Sequence, residues 1–371
     1  MFSLLLFISC KKQKKTNNEE INTNKNSKIE YAKGFDISYQ EGYKVITLKN
    51  AWPGTEKVFK YALIEEATIL DFPEQYDAIV TIPIKNIVVT STTHIPSLEM
   101  LAVDQTLIGF PNLDYISSKK TRERINKGLI KELGKNEDIN TESLIELSPD
   151  VVIGFAVDGN NKTFNTLKKT GIPVLYNGDW TETSPLGKAE WIKFFAAFYN
   201  KEALANKLFS EIKTAYLNAK KLALKAKNKP TVLSGAMYKD IWYLPQGKSW
   251  AAQFIADANG KYLWSDSEGT GSHSLNLESV LEKGEHAQFW ISPSFYTTMK
   301  QLKEAHAVYK QFNAFKNDQV YSFTHKVGDT GGLLYFELAP NRPDIVLKDI
   351  IKILHPELLP NHNLYFFDQL K

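Results

Sequence analysis

Ile139-Asn140-Thr141-Glu142-Ser143-Leu144-Ile145-Glu146 returns later in the chain as Leu275-Asn276-Leu277-Glu278-Ser279-Val280-Leu281-Glu282. Each copy leads into an apolar run, Asp150-Val151-Val152-Ile153-Gly154 in the first case and Ala287-Gln288-Phe289-Trp290-Ile291 in the second. An Asn shortly before a Glu is a good helix start. The amide side chain caps free backbone N–H groups, and the carboxylate sits at the positive end of the helix dipole. Each copy therefore predicts a short helix feeding a strand. Two such units, one in each half of the chain, predict two related α/β lobes with a cleft between them. Chance recurrence of a common capping pattern is the alternative, and the matching apolar positions and following strands argue against it.

With 371 residues, 43% of them apolar and 12% aromatic, the chain is long enough to pack two cores. A formal charge of +3 is small for this length, and the only arginines are Arg122, Arg124 and Arg342. Nothing here argues for a nucleic-acid surface. The scarce arginines matter nonetheless, because a planar guanidinium is the better clamp for carboxylate or phosphate.

The run Met1-Phe2-Ser3-Leu4-Leu5-Leu6-Phe7-Ile8-Ser9-Cys10 is too short to span a bilayer as a helix. Residues 1–10 read as a secretion signal ending at its cleavage site. The pattern Phe7-Ile8-Ser9-Cys10 resembles a bacterial lipobox, with Cys10 as lipidation site and new N-terminus. No basic stretch precedes the apolar run, so either the start lies upstream or the signal is atypical. A buried strand with a free thiol is the alternative. A single Cys excludes an internal disulfide, and lipid attachment gives this one a use. Residues 11–30 hold too little apolar surface to offset ordering entropy and predict a disordered tether. Its basic start, Lys11-Lys12-Gln13-Lys14-Lys15, suits anionic headgroups next to a lipidated Cys, or simply a solvated linker.

Beyond the tether, strands are expected at 43–48 and 59–64, separated by the turn Trp52-Pro53-Gly54. Ile87-Val88-Val89-Thr90 leads through a polar loop that includes Thr93 and His94 to a helix at 97–101, and further strands are expected at 107–110 and 174–176. This alternation predicts an N-terminal α/β lobe over 31–186 with mainly parallel pairing. After Gly187 neither Gly nor Pro occurs until Pro230, and Leu204, Leu208, Ile212, Ala215, Ala219 and Leu222 recur at helical spacing. Residues 187–228 thus read as a connector segment, with a helix at 188–199 and a long amphipathic one at 201–226. An ordinary surface helix is the alternative. The second lobe, 229–371, opens with a strand at 231–234, carries a glycine-rich stretch at 267–272 before the second copy of the repeat, and ends with a helix over 348–354 introduced by Asn341-Arg342-Pro343-Asp344.

Hydrolase, P-loop, dinucleotide and zinc-protease signatures are absent. The seven histidines show no helical i, i+4 pair and no cysteine to share a zinc site, although His94 with carboxylates of the second lobe could assemble a metal site in three dimensions. Aromatics cluster where loops follow strands: Trp180, Tyr238, Trp242, Tyr243, Trp250, Trp264, Phe295, Tyr296 and Tyr335. Core packing is the default for each. Trp180 and Trp250 are the preferred exceptions, since each lies among polar and glycine residues. Flat rings there suit a large, partly apolar ligand such as a metal chelate or a corrin.

Taken together, Ser91–Ala102, Asn140–Glu142 through Ser148–Ile153, Pro185–Ile192, Gly269–Ser272 through Glu278, and Arg342–Asp344 resemble the substrate-binding proteins of bacterial iron-siderophore, haem and vitamin B12 importers. The resemblance spans about 85–355 and is nearest the cobalamin-binding type. It implies two Rossmann-like lobes joined by one long helix, a chelate in the cleft and no catalytic residues. It also implies that Glu142 and Glu278, one per lobe, dock into arginine pockets of an ABC permease dimer, where charge pairing sets orientation and on-rate. The alternative is a purely local role for both glutamates at their helix starts, which is compatible with docking. Ligand contacts are expected from Thr93, His94, Trp180, Trp250, Tyr335 and Arg342, with Arg342 as readily an anchor of the last helix. Arg122 and Arg124 lie in a polar segment that faces either the cleft or solvent.

The expected protein is a monomeric, lipid-anchored, periplasm-facing component of a bacterial envelope that needs no cofactor. A rigid connector predicts modest closure on binding, because few dihedrals can absorb a large rotation. Two rivals stand beside this reading. One is an envelope enzyme or metal-cofactor processing protein on the same scaffold, with His94, Asp158 or Asp179 as starting points. The other is a binder of bare metal ions.

Overall fold

The two copies of the repeat fold alike. In the computed structural model, which describes residues 26–66, 75–159 and 161–371, Asn140 and Asn276 each cap a helix. Their side chains accept the backbone N–H of Ser143 at 3.0 Å and of Ser279 at 2.8 Å. The helices run Thr141–Leu147 and Leu277–Gly284, with Glu142 and Glu278 in their first turns. Each feeds a strand, Val151–Gly154 and Phe289–Ile291, that pairs in parallel with the opening strand of its lobe, Ile87–Val89 and Thr231–Ser234.

Each lobe is built on a five-stranded sheet. In the first, the spatial order is Val174–Tyr176, Val151–Gly154, Ile87–Val89, Leu107–Phe110 and Lys131–Glu132, all parallel. The second runs Lys261–Tyr262, Thr231–Ser234, Phe289–Ile291 and Val320–Ser322 in parallel, closed by the antiparallel Asp368–Gln369. Strands such as Val151–Gly154 are buried at every position, as expected for parallel sheets covered on both faces.

Two additions surround this frame. Phe35–Gln40, Tyr43–Leu48, Phe59–Glu65 and Ala78–Ile82 form a four-stranded sheet ahead of the first lobe. Its Phe35, Ile46, Leu48 and Tyr61 join the first lobe's core, and the Tyr61 hydroxyl accepts the Tyr176 N–H at 3.0 Å. In the second lobe, the hairpin Ala236–Tyr238 and Ile241–Pro245 rises from the end of Thr231–Ser234 and pairs with Ser272–Leu275.

The long helix spans Glu202–Ala223, shorter at both ends than the expected 201–226, and follows two short helices, Pro185–Glu190 and Ile192–Ala197, where the sequence predicted one. It belongs to both cores. Ala205, Phe209 and Ile212 pack in the first, whereas Tyr216, Ala219 and Ala223 pack in the second. The buried stripe therefore runs through Phe209 and Tyr216, and the predicted Leu204, Leu208 and Leu222 lie only partly buried at its edge. Two bulky rings remove more apolar surface from water than the leucines beside them, so they set the helix rotation.

Order begins earlier than the expected tether end at residue 30. Ser27 is buried, and its N–H donates to the Tyr39 hydroxyl at 2.8 Å. The fully buried Glu190 carboxylate then accepts the N–H groups of Glu30, Tyr31 and Ala32, while Glu182 accepts those of Lys33 and Gly34. Lys193 neutralises Glu190 at 2.6 Å. Two carboxylates thus strap residues 30–34 across the helical segment between the lobes. Cys10 and residues 11–25 lie outside the described residues.

Candidate functional site: the interlobe cleft

The first lobe's sheet changes direction at Ile87–Val89, with Val151–Gly154 added on one side and Leu107–Phe110 on the other. Loops leaving a parallel sheet on either side of such a reversal splay apart and open a crevice beyond the strand ends, where α/β proteins bind ligands. A cavity of about 350 Å³ lies there. Its floor is Thr90, Ser91 and Thr92 after the first strand, Phe110 and Pro111 at the end of the second, and Phe155 after the third, with Tyr115 and Asn136 at the sides. The second lobe supplies Gly331, Gly332, Leu333 and Phe336. A neighbouring cavity of about 320 Å³ shares Asn136 and Phe155 and adds Val157, Asp158, Glu137 and Lys162.

Glycine makes the approach of the lobes possible. A Cβ on Gly332 would stand 2.2 Å from the Tyr115 carbonyl oxygen, and one on Gly328 would stand 2.6 Å from the Ser117 Cα. Polar bonds hold the same seam. Thr330 Oγ1 donates to the Asp114 carbonyl at 2.7 Å, and Asn341 Nδ2 donates to the Thr93 carbonyl at 3.0 Å while its oxygen accepts the Ser97 hydroxyl at 2.8 Å. Glu337 accepts the N–H groups of Ser117 at 2.6 Å and Ser118 at 2.9 Å. Burial pushes the Glu337 carboxyl up to about 7, against the pull of those two N–H groups and with Glu99 adding repulsion.

On the second lobe's own strand ends, Tyr238, Ile241 and Tyr243 are exposed along the hairpin, and Phe295 is 71% exposed. Phe295 follows Ser292 and Ser294, both at φ +59°, a left-handed conformation that non-glycine residues adopt at a cost of about 1 kcal/mol or more.

The expected ligand residues fare unequally. Thr93 follows Thr92 of the cavity floor but does not itself line the cavity, its hydroxyl donating to Asp179 at 2.7 Å. Trp180 is 39% exposed, and its carbonyl accepts from Lys188 Nζ, which also lies 5.2 Å above the Trp250 ring. Lys188 thus joins the two tryptophans, while Trp250 leans on Phe254 and Tyr335. Three expectations are corrected. His94 is wholly buried against Phe195, its pKa lowered by burial, so it offers no surface to a ligand in this conformation. It stands 4.0 Å from Asp179, and neither ring nitrogen meets a hydrogen-bond partner among the described residues. Tyr335 is 7% exposed and stacks on Phe323 at 4.4 Å, a core role. Arg342 grips Asp344 with two bonds of 2.9 Å at the start of Pro343–Leu354, which is the anchoring alternative.

Glu142 and Glu278 are both exposed. Among the described residues no group of three or more His, Cys, Asp or Glu side chains converges as a metal site, so His94 does not meet the carboxylates of the second lobe. Sequence reading missed Phe110, Tyr115, Asn136, Phe155 and Phe336. Phe110 and Phe155 had a signal, since each ends or directly follows an expected strand. The Gly331-Gly332 pair was a second, because adjacent glycines mark a close backbone approach.

A model of periplasmic binding proteins matches residues 87–327. The chain belongs to that family. The match starts at the first strand of the parallel sheet, so the four-stranded sheet precedes it. An uncharacterized lipoprotein of Methanocaldococcus jannaschii is 30% identical over 298 residues, covering 78% of this chain and 69% of that protein. Among solved structures, a possible iron-binding periplasmic solute-binding protein of Staphylococcus epidermidis superimposes with a TM-score of 0.59 at 19% identity, covering 74% of this chain and 99% of the other. The periplasmic vitamin B12 binding protein of Vibrio cholerae gives 0.53 at 13% identity, covering 76% and 99%. At these identities the two structures share the fold with this periplasmic binding protein.

Proposed function

We propose that this periplasmic binding protein is the substrate-binding component of an ABC importer and captures a metal chelate, a ferric siderophore, haem or cobalamin, between its lobes. The carrying observation is the cavity at the sheet's reversal point, floored by hydroxyls and phenyl rings and closed by Gly331–Phe336 of the opposite lobe. A chelate has a broad apolar face and a polar rim, which suits rings beside hydroxyl and amide groups. Iron-binding and B12-binding proteins of the same fold support this ligand class. No catalytic residue is assigned.

Delivery would use Glu142 and Glu278. Each stands exposed in the first turn of one of two equivalent helices, so the lobes offer a two-fold related permease one carboxylate apiece. In this reading residues 31–186 and 229–371 are the lobes, 187–228 connects them, and Cys10 carries a lipid that holds the monomer at the envelope, facing the periplasm. Lipoproteins among its relatives support the anchor. The test is a titration of the purified protein with haem, cobalamin and ferric siderophores, read by tryptophan fluorescence. Saturable quenching at submicromolar concentration by one ligand is expected, and a folded protein silent across the panel would refute the reading.

A further inference from the structure

The charge on the cleft walls narrows the ligand beyond the reading just given, on which this inference rests. None of the twelve residues around the central cavity carries a charge. The adjoining cavity holds two carboxylates, Glu137 and Asp158, against one ammonium, Lys162, so its balance is negative. Every guanidinium in the chain is occupied elsewhere. Arg122 donates to the Leu113 carbonyl at 2.7 Å, Arg124 to the carbonyls of Asp104, Gln105 and Leu107, and Arg342 to Asp344. Two lysines near the lobe seam are engaged too: Lys188 sits on the Asp179 and Trp180 carbonyls, and Lys326 pairs with Asp368 at 3.1 Å.

An anion entering the central cavity would lose its hydration without gaining a fixed positive partner in its wall. Such desolvation is expensive, whereas a neutral or cationic ligand meets rings, hydroxyls and a mildly negative rim. We infer that the cleft selects chelates without net negative charge, held by ring contacts from Tyr115, Phe155 and Phe336 and by the hydroxyl and amide groups of Ser91, Thr92 and Asn136. The class comprises neutral corrins and neutral or cationic ferric hydroxamates. Ferric tris-catecholates and haem, with its two carboxylates, fall outside it.

The test is calorimetric titration of the full chain with cyanocobalamin, a cationic ferric trihydroxamate, haem and a trianionic ferric tris-catecholate. At least one of the first two is expected to bind about a hundredfold or more tighter than either anion, and its affinity should fall less than about twofold between low and high salt. A gain of about tenfold for the tris-catecholate in Asn136→Lys, with the neutral ligand weakened by loss of the amide, would add support. Tight binding of haem or the tris-catecholate to the unaltered protein overturns the charge rule and leaves the importer reading standing. Absence of binding by all four refutes the importer reading itself, and the charge rule with it.

Discussion

The Glu337 carboxylate accepts the backbone N–H of Ser117 at 2.6 Å, a bond made from the second lobe to the first beside the Gly328–Gly332 loop. It joins the lobes at the rim of the cavity, one residue from Phe336 in the wall. The carboxyl is raised from 4.5 to about 7. A raised carboxyl favours the folded state most below its unfolded pKa, because the native protein holds the proton more tightly. That contribution is lost as the pH climbs through about 7.

Denaturation at a series of pH values should therefore show stability falling between about pH 5 and pH 8, by at most about 3 kcal/mol from this group. Glu337→Gln keeps an oxygen to accept an N–H and removes the titration, so its stability should be flatter over that range. An identical slope in the variant would assign the pH dependence to other groups.

Gly332→Ala places a methyl where only a backbone oxygen fits, 2.2 Å from the Tyr115 carbonyl. Relief of such a clash costs about 1–3 kcal/mol, here by parting the lobes at the cleft rather than by disturbing either core. Ligand affinity should drop about tenfold or more while each lobe keeps its helical circular dichroism. Small-angle scattering should report a larger radius for the variant.

Phe336→Ala removes a ring that is 46% exposed and faces the cavity, so folding should change little. Affinity for the bound chelate is expected to weaken about tenfold, the loss of roughly one aromatic contact. Tyr335→Ala, one residue earlier, should instead lower the melting temperature, because that ring stacks on Phe323 in the core.

Glu190→Ala would strand Lys193 without its carboxylate and leave the N–H groups of residues 30–32 unpaired. A buried pair broken on one side costs about 3–5 kcal/mol, measurable as a shift in urea midpoint. Limited proteolysis near residues 28–34 should accelerate in parallel.

Glu142→Ala combined with Glu278→Ala is expected to leave stability within about 1 kcal/mol and chelate binding unchanged, since both side chains are exposed. Uptake by cells that depend on this protein should be abolished. Lost chelate binding with uptake machinery still engaged would reverse the assignment.

The repeat was legible because it is local physics. An Asn cap, a first-turn Glu and an apolar run at the right distance dictate helix then strand whatever surrounds them, and Asn140 and Asn276 cap as expected. Two copies then carried the bilobal architecture. Other choices depended on packing between distant segments. The expected stripe of the connector helix was right at Ile212 and Ala219, but Phe209 and Tyr216 take the core places that the leucine periodicity gave to Leu204, Leu208 and Leu222. His94 looked like a ligand in its polar loop, yet the chain folds it beneath Phe195 and next to Asp179. Arg342 had two readings, and Asp344 decided between them. The cavity wall joins Thr90, Phe110, Phe155 and Phe336, residues that no local rule connects, because strand order and lobe apposition are long-range outcomes of burial. Sequence alone determined the elements and their duplication, and tertiary packing decided which side chains line the interlobe cavity and that its central part carries no charge.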